Sequence, residues 1–233
     1  MTFNPSKCET IHITRKKAPI ITPYLLKEEE LNTTSNANYL GVTISSNLSW
    51  NNHISKTATK GNRALGFIRR NIKTSSKSTK ERAYNSIVRP VLEYASSVWS
   101  PWQKDLSTTI ENVQRRAARY VANRFDSRDS VSSMVSHLKW DTLEKRRNKS
   151  RVTMLYKIVN SLVAIPATKL VPTAGRTRGH ELRFQRIKTQ QDYHKFSFFP
   201  SAVRLWYDLP ANLVTSVDID TFKERLKSIS VPS

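Results

Sequence analysis

The chain of 233 residues has one cysteine, Cys8, so no disulfide can close within it and no cysteine-based metal site can form. A reducing compartment suits that composition. Glycine is scarce, with five residues, and none has the spacing of a loop that cradles phosphate. No stretch approaches the roughly 18 apolar residues of a spanning helix. The start, Met1-Thr2-Phe3-Asn4-Pro5, has no apolar signal core. These absences predict a soluble intracellular protein with no membrane partner, and they leave nucleus and cytoplasm open. The sequons at Asn32, Asn47 and Asn148 carry no weight without a secretory signal. Histidines 12, 53, 137, 180 and 194 form no HxxxH or HExxH pattern, so no metal is expected. There is no GxSxG elbow to activate a serine. No cofactor is implied, and an autonomous enzyme is disfavoured.

What is present is positive charge: 39 Lys and Arg against 18 Asp and Glu, a formal excess of +21. A folded body with that excess repels itself, and phosphates relieve the repulsion. Nucleic acid is therefore the leading partner, ahead of an anionic membrane surface or a merely solvated basic face. Hydrophobic residues make up 38%, and the five Trp, eight Tyr and eight Phe are spread along the length, so most of the chain is expected to fold around an apolar core.

Strand period marks residues 9–14, where Ile11 and Ile13 alternate with polar neighbours, and 38–46, where Leu40, Val42 and Ile44 do so. Tyr24-Leu25-Leu26 offers a short third strand. The fold class predicted is mainly α with a small N-terminal antiparallel β-sheet, a helical bundle and a basic C-terminal region.

From about residue 50 the period becomes helical. A helix over about 53–72 carries Ile54, Ala58, Leu65 and Ile68 on one side and Lys56, Lys60, Arg63, Arg69 and Arg70 on much of the rest. A second, about 78–99, opens on Ser78 and Glu81 as a capping box, and Pro90 is expected to bend it. A third, about 106–123, sets Arg115, Arg116 and Arg119 beside Ile110, Val113, Ala117 and Val121. Asp141 with Glu144 opens a fourth that runs to Leu162 and bears Lys145, Arg146, Arg147, Lys149 and Arg151. Residues 163–200 lose the period and gain Pro166, Pro172, Gly175, Gly179 and Pro200, which reads as an extended arm. A last short helix follows with Ile219, Phe222 and Leu226.

Four blocks, in order, carry a family resemblance. They are Phe3-Asn4-Pro5-Ser6-Lys7-Cys8 with the strand at Ile11 and Ile13, and Tyr39-Leu40-Gly41-Val42-Thr43-Ile44 through Trp50 and Ile54. Next comes Ala64-Leu65-Gly66-Phe67-Ile68-Arg69-Arg70-Asn71 with Val88-Arg89-Pro90-Val91-Leu92-Glu93-Tyr94-Ala95 and Gln114-Arg115-Arg116-Ala117-Ala118-Arg119. The last is Leu138-Lys139-Trp140 with Leu143-Glu144-Lys145-Arg146-Arg147, Arg176-Thr177-Arg178-Gly179-His180, Ser197-Phe198-Phe199-Pro200 and Trp206-Tyr207-Asp208-Leu209-Pro210. Together they resemble the reverse transcriptases of non-LTR retrotransposons, of the jockey-like and chicken-repeat-like lineages, from just after the polymerase's Asp-Asp turn onward. The family more often has Asn where Tyr207 stands.

The resemblance implies a palm remnant at 1–54 with a primer-grip-like hairpin at Tyr39, Leu40 and Gly41, a thumb-like helical bundle at 55–125, and a C-terminal helical and basic region at 126–233 that includes the arm at about 163–200. It implies RNA, DNA or an RNA–DNA hybrid as partner, and also the missing palm and fingers. Polymerase chemistry needs two metal ions held by paired carboxylates. No Asp-Asp pair occurs here, and the nearest approach, Asp218 and Asp220, reads as helix-start carboxylates. The expectation is a non-catalytic reverse transcriptase fragment that binds template-primer through its backbone. The alternative is a host nucleic-acid-binding or interaction protein derived from such an element. The residues expected on nucleic acid are Lys60, Arg63, Arg69, Arg70, Arg115, Arg116, Arg119, Arg146, Arg147 and Arg151, with the arginines of the third and fourth helices forming one phosphate-tracking surface.

Overall fold

The computed structural model describes residues 3–14, 16–20, 22–126, 128–173 and 180–229. The protein is mainly α with a small N-terminal β portion. It divides into two compact units, 1–56 and 57–233, and the division falls inside the helix α1 (Asn51–Asn71). Among the described residues no helix is long and apolar enough to cross a membrane.

Among the described residues of the first unit, six short strands form three separate pairs. β1 (Glu9–Thr10) runs parallel to β4 (Asn32–Thr33). β2 (Leu25–Leu26) pairs antiparallel with β3 (Glu29–Glu30), and β5 (Asn36–Tyr39) with β6 (Val42–Ser45). The stretch read as one strand over 38–46 is thus a hairpin. Tyr39 pairs with Val42, and between them Leu40 and Gly41 take left-handed φ of 46° and 80°. Left-handed φ at both central positions is the turn whose twist matches its flanking strands. Glycine adopts it freely, whereas Leu40 bears a cost of about 1 kcal/mol. The buried side chains of β6 include polar Thr43 and Ser45, whose hydroxyls donate to Asn38 Oδ1 at 2.6 Å and Asn36 Oδ1 at 2.7 Å. The Thr43 N–H donates to His53 Nδ1 at 3.2 Å.

The second unit continues α1 and adds α2 (Lys77–Ala83), a π-helical turn (Tyr84–Val88), α3 (Arg89–Glu93), α4 (Lys104–Ala122), α5 (Val131–His137) and α6 (Leu143–Val159). Beyond these lie α7 (Asp192–Lys195), α8 (Phe198–Tyr207), α9 (Ala211–Val214) and α10 (Ile219–Ser228). Two caps differ from the sequence expectation. Ser76, not Ser78, caps α2 by accepting from the Thr79 N–H, and Thr142, not Asp141, caps α6 by accepting from the Lys145 N–H, both at 3.2 Å. Asp141 instead accepts from Lys149 Nζ at 2.9 Å. Asp218 caps α10, accepting from the N–H groups of Asp220 and Thr221.

The single helix expected over 78–99 is broken. Proline has no N–H and crowds the preceding turn, so the chain widens there to π spacing, with the Arg89 N–H bonded to Tyr84 O. Pro90 then sits in the first turn of α3, where no donor is needed. Because glycine is scarce, other residues take the left-handed positions that end helices. They are Ala95 after α3, Asn123 after α4, Lys139 after α5 and Ser161 after α6, with φ of 52°, 53°, 53° and 54°.

The Tyr120 hydroxyl on α4 donates to the Ile72 carbonyl at 2.7 Å, with the Ile68 carbonyl 3.2 Å away, and so satisfies an acceptor just past the C-terminal end of α1. Tyr84 donates to Gln114 at 2.9 Å, and Gln114 donates to the Asp141 carbonyl at 3.0 Å. A second core gathers α6, α8, α9 and α10 around Tyr156, Trp206 and Phe222, with Tyr156 stacked on Phe222 at 4.2 Å. The stretch read as an extended arm, 163–200, holds a 3-10 turn (Ala167–Lys169), a bridge from Pro172 to Phe184, and then α7 and the start of α8. Residues 174–179, which include Arg176, Thr177, Arg178 and Gly179 of the family block, lie outside the described residues.

Candidate nucleic-acid interface

The basic residues of α1 and α4 stand on outward faces because the apolar stripes of both helices point inward. On α1 the buried positions Ala58, Leu65 and Ile68 leave Lys60, Arg63, Arg69 and Arg70 exposed. On α4 the buried Ile110, Val113, Gln114, Ala117 and Val121 leave Arg115 and Arg116 exposed, while Arg119 is half-buried. The two helices lie edge to edge. Arg116 Nη1 donates to Asn62 Oδ1 at 2.9 Å, and farther along the seam the Arg69 guanidinium lies 5.9 Å from the centre of the Phe125 ring. Arg119 donates to the Asp126 carbonyl at 2.8 Å, so part of its donor set is spent on holding the turn after α4.

Among the described residues none of Lys60, Arg63, Arg69, Arg70, Arg115 and Arg116 is in an ion pair; the pairs that form involve other residues. These six exposed guanidinium and ammonium groups, with no carboxylate partner among the described residues, make the outward faces of α1 and α4 a basic ridge, a kind of surface suited to phosphates and carrying little sequence discrimination.

The α6 cluster does not join that ridge, which corrects the expected shared surface. Arg146 makes a two-pronged pair with Glu93 of α3, through Nε to Oε1 and Nη2 to Oε2, and this hydrogen bonding raises its pKa. Arg147 and Arg151 are 1% and 5% exposed. Leu143, Arg147, Arg151 and Leu155 recur every fourth residue and are all buried, so the two arginines share the inner face of α6 with the leucines. Burial pushes the Arg147 pKa down while Glu111 and Glu144 oppose the shift. Arg151 is lowered to about 10, first by burial and then by the like charges of Arg147 and Arg204. Of the α6 arginines, then, Arg146 pairs across helices and Arg147 and Arg151 are buried.

The primer-grip-like residues sit at the tip of the β5–β6 hairpin. Tyr39 and Leu40 are 67% and 73% exposed there, and Gly41 is exposed beside them. Among the aromatic residues, Trp99, Tyr156 and Trp206 are fully buried. Trp140 is half-buried, stacked on Tyr84 at 4.4 Å and donating to Glu81 at 2.8 Å. Trp102 is 44% exposed and stacks on Phe196 at 5.1 Å.

Arg204 of α8 was not singled out from the sequence, because it stands alone in an apolar stretch. Only the packing of α8 on α6 places it near Arg151. No protein-family model, curated protein or solved structure matches the chain.

Proposed function

We propose that the chain is the end of the palm, the thumb and the following region of a non-LTR retrotransposon reverse transcriptase. In this reading it has no polymerase chemistry of its own and holds template-primer nucleic acid by the sugar–phosphate backbone. The order of the four sequence blocks supports the family. The observation that carries the binding is the ridge of six exposed, ion-pair-free cations along α1 and α4. A hairpin tip that exposes Tyr39 and Leu40 beside a left-handed Gly41 agrees with a grip on a primer end.

The experiment is a salt titration of binding to single-stranded RNA and DNA and to a hybrid duplex. For about six phosphate contacts, log K falls against log salt with a slope of about −4 on a single strand. Weak discrimination between base sequences accompanies it, because backbone contacts carry no sequence information directly. A flat salt response, or tight preference for one short sequence, overturns the reading. On a primed RNA template with Mg²⁺ or Mn²⁺ the chain is expected to extend no primer, since no Asp-Asp pair is present.

A further inference from the structure

Arg151 lines a cavity of about 310 Å³ bounded by α6, α8 and the Ser100–Trp102 segment that leads into α4. That size falls at the small end of ligand pockets. Its Nη2 reaches the Phe196 carbonyl at a long 3.5 Å, and its buried Nε has no partner among the described residues. The charged groups that act on it are Arg147, one turn earlier on α6, and Arg204, which stands exposed on the cavity wall. A buried guanidinium with no carboxylate partner bears a desolvation cost that a bound anion offsets.

Glu144 and Asp208 are also on the wall, and neither makes an ion pair with Arg151 or Arg204. Their carboxylates are therefore left to accept hydrogen bonds from something else. At the rim Trp102 and Phe196 stack nearly parallel, 8° apart, with the indole still 44% exposed. Paired arginines, hydroxyl acceptors and an open aromatic face are the three chemistries that a nucleotide's phosphate, sugar and base require.

We infer that this cavity is a mononucleotide site, in which Arg151 and Arg204 take the phosphate, the wall carboxylates accept sugar hydroxyls and Trp102 stacks on the base. The site is separate from the ridge on α1 and α4 and does not depend on it. The nucleotide comes either free or as the phosphorylated end of a strand, and one titration distinguishes the two sources.

The full chain is titrated with a nucleoside 5′-monophosphate, the same nucleoside without phosphate and inorganic phosphate, reading tryptophan fluorescence and thermal stability. The monophosphate is expected to bind in the millimolar range or tighter, with the nucleoside and inorganic phosphate each weaker by about tenfold or more. Arg204→Gln, at an exposed position, is expected to weaken monophosphate binding by about tenfold with the melting temperature of the free protein unchanged. Trp102→Phe removes the fluorescence response. Reversing Arg63, Arg70 and Arg116 to Glu leaves monophosphate binding as it was, so failure of the ridge and failure of the cavity are told apart.

Competition by a 5′-phosphorylated oligonucleotide, but not by its 5′-hydroxyl twin, in that ridge-reversed variant assigns the site to a strand end. Competition by neither assigns it to free nucleotide. Absence of monophosphate binding at about 10 mM, equal binding of inorganic phosphate, or undiminished binding by Arg204→Gln overturns the inference.

Discussion

Arg116 on α4 donates to Asn62 on α1 across 2.9 Å, which brings one cation of α4 to the edge of the basic face of α1. Arg116 is in no ion pair among the described residues, so its positive charge at the seam is not neutralised by a carboxylate. The row on α1 places Arg63 and Arg70 seven residues apart, two turns along one outward line.

Reversing Arg63, Arg70 and Arg116 to Glu removes about half of the ridge. The salt slope on a single strand is expected to shrink from about −4 to about −2, with helix content by circular dichroism unchanged. Lys223 and Lys227 on α10 already neighbour Asp220 and Glu224 in ion pairs, so reversing them serves as the control and leaves the slope in place.

Glu93 and Arg146 tie α3 to α6, with side chains 21% and 33% exposed. Glu93→Gln leaves Arg146 partly buried without its carboxylate, and a loss of about 2 kcal/mol in urea unfolding is expected. An unchanged midpoint would show that water replaces the bond at no cost.

Gly61 and Gly66 sit on the same helix and answer a methyl group with opposite signs. A Cβ at Gly61 meets the buried Leu92 Cδ2 at 2.5 Å and Val113 Cγ1 at 3.3 Å. Gly61→Ala is therefore expected to destabilise by about 1 kcal/mol or more, overpacking outweighing helix propensity. At Gly66 the only close atom is Arg70 Nη1, the free end of an exposed side chain, at 3.3 Å. Gly66→Ala is expected to raise stability by up to about 1 kcal/mol, and the two melting temperatures measure the difference.

Glu111 has its pKa raised, chiefly by burial, although the Glu144 and Leu143 N–H groups and Arg147 oppose the shift. A carboxyl whose folded pKa lies above its unfolded value contributes stability that is full below the unfolded pKa, near 4.5, and is lost as pH rises through the folded one. Glu111→Gln lacks that loss. Urea unfolding at several pH values from about 4 to 7 is expected to show the variant gaining on the parent as pH rises; a constant difference would contradict it.

Much of the α-helical plan was legible in one dimension. The apolar positions of α1, α4 and α10 repeat at helical spacing, and each helix lies within a few residues of where that spacing puts it. The hairpin was only half legible: alternation from Leu40 to Ile44 hides a two-residue turn, because Leu40 is an uncommon residue in left-handed backbone. The break before Pro90 was legible as a bend, but its form as a π turn depends on how Tyr84 and Val88 bury.

The arginines of α6 show where such reading stops. Leu143, Arg147, Arg151 and Leu155 recur every fourth residue, a pattern that puts them on one face, yet charge at two of the four positions makes that face look outward. The sequence by itself determined the large positive excess, the single thiol, the absence of paired aspartates and the period of the main helices, since each is a property of composition or of neighbours along the chain. Only the tertiary structure decided which cations meet solvent and which meet Glu93 or one another, because burial and pairing depend on residues brought together from distant helices, as Arg146 is with Glu93 and Arg151 with Arg204.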